Sequence, residues 1–168
     1  GINTGIHPFK KYFDELQIGE QLITEKRVIT SEDIDRFADL TGDHFYAHIK
    51  TTDFTGTMFE QQVAHGYFIM SIAAGLFVEG YEKNPVLLNY GIDELRFTKP
   101  VYPGAEVHIR FTCKEKLPND KRVIEKPEDF KRGDDIDKGI VKWLVEFFDA
   151  SNEITGVATI LTMVARKP

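Results

Sequence analysis

The stretch that decides the fold is Gln62 to Glu79, reading QVAHGYFIMSIAAGLFVE. Apolar side chains fall on every side of a helix drawn through it, Val63, Phe68, Ile69, Met70, Ile72, Leu76 and Phe77 among them. A helix with no polar face has to be covered by the rest of the chain. Drawn over the whole stretch it would be roughly 27 Å long, close to the thickness of a bilayer core. Gln62, His65 and Glu79 cut the apolar run short, and neither a second span nor a basic flank accompanies it. The expectation is therefore a helix buried inside the protein. Gly66, Ala73, Ala74 and Gly75 would let strands approach its axis closely.

What covers the helix is legible further along the chain. In Glu106 to Lys116, Val107, Ile109, Phe111 and Cys113 alternate onto one face, and in Val141 to Phe148, Val141, Trp143, Val145 and Phe147 do the same. A period of two marks a half-buried strand. Glu153 to Arg166, rich in Thr, Ile and Val, follows a turn at Asp149 to Asn152 and reads as a third strand. These three form an antiparallel run, and Gln21 to Ile29 and Asn89 to Phe97 bring the total to about five. Between the first two lies Pro118 to Gly139, PNDKRVIEKPEDFKRGDDIDKG, whose charges and turn formers predict a solvated excursion. An α+β layered fold follows: a sheet wrapped around one long helix.

The 168 residues, 42% of them hydrophobic, suit a single domain over 1–168 that buries its core without metal or disulfide. A formal net charge of −6 implies no basic surface for a phosphate backbone, which argues against nucleic acid as a partner. Cys113 is the only cysteine, and no basic segment followed by an apolar run opens the chain, so a reducing, cytoplasmic location fits best.

Thr30-Ser31-Glu32-Asp33 supplies a hydroxyl cap with a carboxylate three residues on. Ile34, Phe37, Ala38 and Leu40 follow at helical spacing, and Gly42 stops this shorter helix. Directly after it comes Thr41-Gly42-Asp43-His44-Phe45-Tyr46-Ala47-His48. On an irregular loop, Asp43 and His48 can turn toward one point and hold a water between them, the imidazole moving a proton while the carboxylate orients it. A plainer reading fits the same residues, with Asp43 capping a turn and His48 satisfied structurally. His44 and His48 stand at i and i+4, as a helical metal pair does, with His65 as the obvious third ligand. Gly42 before them and Thr51-Thr52 after them argue against helix there, and no metal is expected. Ala64-His65-Gly66 would open the central helix with N–H groups that lack intrahelical partners. Gly66 there would either admit a thioester carbonyl to the backbone, as an oxyanion hole does, or relieve packing against a strand.

In order and spacing these pieces resemble the MaoC-like (R)-specific enoyl-CoA hydratases and dehydratases. The resemblance is carried by Phe37-Ala38, the loop from Thr41-Gly42-Asp43 to His48, Ala64-His65-Gly66, and Leu95-Arg96-Phe97 leading to Pro100-Val101-Tyr102-Pro103-Gly104, and it covers nearly the whole chain. It implies a hot-dog fold, catalytic roles for Asp43 and His48, and an oxyanion-hole N–H on Gly66. It further implies addition of water to an unsaturated acyl-CoA and no cofactor beyond the coenzyme A of the substrate; no membrane partner is expected, and five strands around one helix leave a sheet edge that predicts a homodimer or higher homo-oligomer. Substrate contacts are expected at Phe45, Tyr46, His65 and Tyr67, and Arg96, Lys99, Arg110 and Lys114 are candidates for the nucleotide phosphates or ordinary surface charges. The usual family loop carries Asn-Pro where this sequence has Phe45-Tyr46. With Val63 to Phe68 and Leu88-Asn89-Tyr90-Gly91, this departure looks like one branch, the hydratase domains of bifunctional phenylacetate-degradation proteins, which open the ring of oxepin-CoA. The branch implies an aldehyde product and an aldehyde dehydrogenase domain or protein as partner. Two other functions stay open: a hot-dog thioesterase that releases free CoA, and a non-catalytic acyl-CoA-binding module.

Overall fold

In the computed structural model, which describes residues 5–118 and 136–168, the central helix α2 occupies Gly66–Phe77. It begins later than the apolar pattern because residues 62–65 pair sideways instead. Val63 N–H donates to Ala47 O at 2.9 Å and Ala64 N–H to Val101 O at 2.8 Å, so these amides are spent before the helix can use them. At the other end Val78 is already extended, with φ −72° and ψ 141°.

Six strands cover α2: β1 (Gln21–Ile23), β2 (Arg27–Val28), β3 (Val86–Phe97), β4 (Glu106–Pro118), β5 (Lys138–Phe148) and β6 (Ile154–Ala165). They form an antiparallel sheet in the order β1-β4-β5-β6-β3, with β2 also on β4. The three-strand run β4-β5-β6 is as the alternation predicts, and most of the charged stretch between β4 and β5 lies outside the described residues. The strand expected over 21–29 is split. Ile23 faces Arg110 and Arg27 faces Val107, so the outer strand spends one residue more than its partner, a bulge that breaks the pairing.

The alternating residues of β4 and β5 are the core: Val107, Ile109, Phe111, Cys113, Val141, Trp143, Val145 and Phe147 are all buried. Phe77, from the last turn of α2, stacks on Phe111 with ring centroids 3.8 Å apart and meets Trp143 edge-on at 5.0 Å. Aromatic contacts of this kind add about 0.5–1.5 kcal/mol to the burial itself. The indole N–H of Trp143 is satisfied by Thr162 Oγ1 at 3.1 Å, which removes the penalty of burying it.

Contrary to what its composition predicts, the helix is not covered all round. Phe68, Ile69, Ala73 and Phe77 face the sheet, while Tyr67 is 68% exposed and Val78, just beyond the helix, is 55% exposed. Of the small residues, Gly66 does mark a close approach, since a Cβ there would be built into the Phe97 ring, but Gly75 faces open space. Among the described residues the outer strand β3 pairs along one edge only and leaves Leu88, Tyr90, Ile92 and Phe97 exposed.

The shorter helix α1 is Ser31–Thr41. Thr30 Oγ1 accepts from Asp33 N–H at 3.0 Å and Asp33 Oδ2 from Thr30 N–H at 3.1 Å, the reciprocal cap that the sequence predicts. Gly42 ends the helix at φ 80°, where only glycine is unstrained. Ile34 and Ala38 are buried, but Leu40 is 84% exposed and belongs to the outer face. No helix among the described residues is long and apolar enough to cross a membrane. A helix held in the curve of an antiparallel sheet is the hot-dog arrangement.

Candidate active site

Past Gly42 the chain folds back on itself. Asp43 N–H donates to Thr41 Oγ1 at 3.2 Å and Asp43 Oδ1 accepts from Phe45 N–H at 3.4 Å, after which Tyr46–His48 makes one 3-10 turn. This loop is laced to residues 62–65 by four hydrogen bonds. They run from His65 Nε2 to Asp43 O (3.0 Å), Val63 N to Ala47 O (2.9 Å), His48 Nδ1 to Val63 O (2.7 Å) and Gln62 Nε2 to His48 O (2.9 Å). These bonds reach across 14 to 22 residues of chain, so the loop is held by the strand-like approach to α2 as well as by its own turns.

The bond to Val63 fixes the chemistry of His48. A carbonyl oxygen only accepts, so Nδ1 carries the hydrogen, and in the neutral ring Nε2 is left as a base. His48 lies in the wall of a cavity of about 370 Å³, with Phe45, Val63, Ala64, Gly66, Ile69, Phe97, Val101 and Phe147. Its polar lining is confined to His48, Thr98, Lys99 and Thr155. Gly66 is the first residue of α2, and its N–H finds no acceptor among the described residues. A donor at the positive end of a helix, facing the same cavity as an imidazole base, can stabilise an oxyanion while the base handles a proton.

The expected site residues divide into two groups. Phe45, His48 and Gly66 line the cavity, and the carboxylate of Asp43 lies close to the imidazoles of His48 and His65. Tyr46 and Tyr67 are outside the lining; Tyr67 leans edge-on against Phe97 at 6.1 Å. His65 is only 1% exposed and sits behind His48, so the substrate contact expected of it is not available in this arrangement. Burial pushes its imidazole below the ordinary value, against the opposing effect of its bond to Asp43 O.

Gln62, which the sequence marks only as a limit of the apolar run, does more. It is 3% exposed, accepts from Ser31 Oγ at 2.6 Å and donates to Asp35 Oδ1 at 2.8 Å as well as to His48 O, tying α1 to the loop. An isolated polar residue before an apolar helix was the signal available for it. The hydrophobic walls from Phe97, Val101 and Phe147 had no such signal, since they meet only through the sheet.

His44 is turned away toward Asp39, its Nε2 3.1 Å from Oδ1, and that carboxylate holds it above its ordinary value. One ligand atom from each of Asp43, His48 and His65 lies within 4.8 Å of the other two, a grouping that could pass a proton or hold a metal ion. The rings of His48 and His65 stack 3.7 Å apart, inclined by 22°.

Among the cations named for nucleotide phosphates, Lys99 is bonded to Asp149 and Glu153, Arg110 to Glu146 at 2.9 Å, and Lys114 lies 3.8 Å from Glu94. Arg96 bonds the carbonyl of Leu95 at 2.8 Å.

The fold and this site define a hot-dog protein in which a loop bearing Asp43 and His48 faces the N-terminus of the central helix. Residues 14–131 match the family model of the MaoC like domain, and the chain belongs to that family. It is 49% identical over 120 residues to Protein MaoC of Klebsiella aerogenes, a match that takes 71% of this chain and 36% of that one, so the chain spans about a third of the relative's length. It is 30% identical over 115 residues to 3-hydroxybutyryl-CoA dehydratase of Methylorubrum extorquens, covering 67% of this chain and 69% of that protein. Among solved structures, the monoamine oxidase regulatory protein from Archaeoglobus fulgius superposes with a TM-score of 0.79 at 28% identity, over 94% of this chain and 96% of the other.

Proposed function

We propose that this protein adds water reversibly to an α,β-unsaturated acyl-CoA thioester, and that its substrate is a cyclic enol ether of the oxepin-CoA kind. The observation that carries the reading is the fixed tautomer of His48: with Nδ1–H held by Val63 O, Nε2 is a base in the wall of a mostly apolar cavity. His48 Nε2 takes a proton from water, which Asp43 helps to orient. The oxygen adds to the β-carbon, the displaced electron pair moves to the thioester oxygen, and the Gly66 N–H bears that negative charge. The proton from water then returns to the α-carbon, so the atoms of one water are consumed and nothing else is needed. Coenzyme A enters only as part of the substrate, and a chelator should leave turnover unchanged. The dehydratase named in Methylorubrum extorquens performs chemistry of this class, which supports the reading.

For a cyclic enol ether, hydration at the ring carbon gives a hemiacetal that opens to an aldehyde, and an aldehyde dehydrogenase domain or partner would consume it. Phe45 supports a flat acyl group: it lines the cavity and packs on Tyr46 at 4.5 Å. Replacing both by the usual Asn-Pro should raise the relative kcat/KM on crotonyl-CoA over oxepin-CoA by about 10-fold, equivalent to roughly 1.4 kcal/mol. Proline is tolerable at residue 46 because that residue opens the 3-10 turn, where its N–H has no acceptor within the turn. Parallel readings of enoyl absorbance and free thiol test the wider proposal. Thiol release with the acyl double bond intact would make the protein a thioesterase, and binding without either change a non-catalytic module.

A homodimer is part of this proposal. The free edge of β3, with Leu88, Tyr90 and Ile92 exposed, can pair with a second copy and close the half-open cavity at the seam. Light scattering at micromolar concentration should give twice the 19.2 kDa chain mass, and Ile92→Glu should shift it toward the monomer with loss of activity. A fully active monomer would remove the dimer from the proposal.

A further inference from the structure

We propose that His65 is a positioning residue, holding the Asp43 backbone through its Nε2–H and backing the ring of His48 as a flat plate. The proposal rests on His48 being the base. Because Asp43 O can only accept, the 3.0 Å bond requires the hydrogen of His65 to be on Nε2. Its Nδ1 is then a bare lone pair, buried and without a hydrogen-bond partner among the described residues. A proton added there would create a charge that burial disfavours, against the opposing pull of the Asp43 carboxylate.

Three side chains with titratable groups face His65, namely Asp43, His44 and His48, all from the loop and its 3-10 turn. From α1, Phe37 meets it edge-on at 4.8 Å. The ring is thus held against Phe37 as well as the stacked His48, 3.7 Å away. When His48 takes a proton from water, the face of a neutral imidazole attracts the new cation, whereas a charged His65 would repel it. One side chain therefore serves both partners of the acid/base pair: it fixes where Asp43 stands and lets His48 carry the proton.

The test starts on the unmodified chain. Two-dimensional ¹⁵N–¹H spectra of the imidazoles near neutral pH should show His65 as the Nε2–H tautomer and His48 as the Nδ1–H tautomer, and on acidification His65 should take up its proton below the ordinary imidazole value. A His65 that titrates at or above the ordinary value of about 6.5, or that carries its hydrogen on Nδ1, overturns the proposal. Two variants then separate the roles. His65→Phe keeps the plate and loses the donor, so kcat should fall about tenfold or more with KM within threefold and the acidic limb of the pH profile unmoved. His65→Gln keeps an amide donor and loses the plate, so that limb should move to lower pH. If both variants lower only the thermal midpoint and leave kcat and the limb as in the wild type, His65 is mere packing and the proposal fails. The spectra do not depend on any substrate, so an absence of hydratase activity would sink the proposed function while still deciding the state of His65.

Discussion

His48→Ala and Asp43→Asn are each expected to lower kcat on an enoyl-CoA by about 10²-fold or more, the range usual for acid/base catalysis. His48 is the one imidazole in the cavity wall, and no other lining side chain can take a proton from water at neutral pH with comparable ease. The fold should survive both changes. His48→Ala forfeits the bond to Val63 O, about 1 kcal/mol, which for a chain of this size lowers the thermal midpoint by roughly 2–4 °C. Asparagine at 43 still offers an oxygen to Phe45 N–H, so the turn keeps its bond while the charge is removed. Steady-state rates and melting curves on the same preparations check the expectation. If both variants kept more than about a tenth of the wild-type rate, the acid/base assignment would be wrong.

The parts of the fold that rest on local chemistry were legible. Val107, Ile109, Phe111 and Cys113 announce a half-buried strand by alternation, and Thr30 with Asp33 announces a helix start, because each signal is complete within a few residues. The start of α2 was misplaced by four residues for the opposite reason: whether Val63 and Ala64 join the helix depends on acceptors at Ala47 and Val101, which no local pattern reveals. The site divides the same way. Asp43 and His48 stand out in the sequence as a candidate pair on a loop after a glycine stop. That His65 would lie behind His48, and that Gln62 would tie α1 to the loop, follows only from the register in which the loop meets residues 62–65. The exposed face of α2 is a different case. The apolar composition of α2 predicts a helix covered all round, whereas only Phe68, Ile69, Ala73 and Phe77 are buried and Tyr67 is 68% exposed.

Gly66→Ala is expected to give the second large loss, about 10²-fold in kcat or more, the size seen when an oxyanion-hole donor is lost. Alanine keeps the backbone N–H, so the loss would come from where the methyl group goes. A Cβ at this position lands on the ring of Phe97, which itself lines the cavity. Either the ring is pushed into the space meant for the acyl thioester or the first turn of α2 shifts away from it, and both move the N–H relative to His48. Overpacking of this kind destabilises by about 1–3 kcal/mol, so the thermal midpoint should also fall by several degrees. The double variant Gly66→Ala with Phe97→Leu separates stability from chemistry, since a smaller residue at 97 makes room for the methyl. Its melting temperature should return most of the way to wild type while its kcat stays low, because a methyl group on this residue of the cavity wall narrows the approach to its N–H. Should the double variant regain the wild-type rate along with its stability, Gly66 would serve only the close packing of α2 against β3, and the oxyanion would have to be held elsewhere.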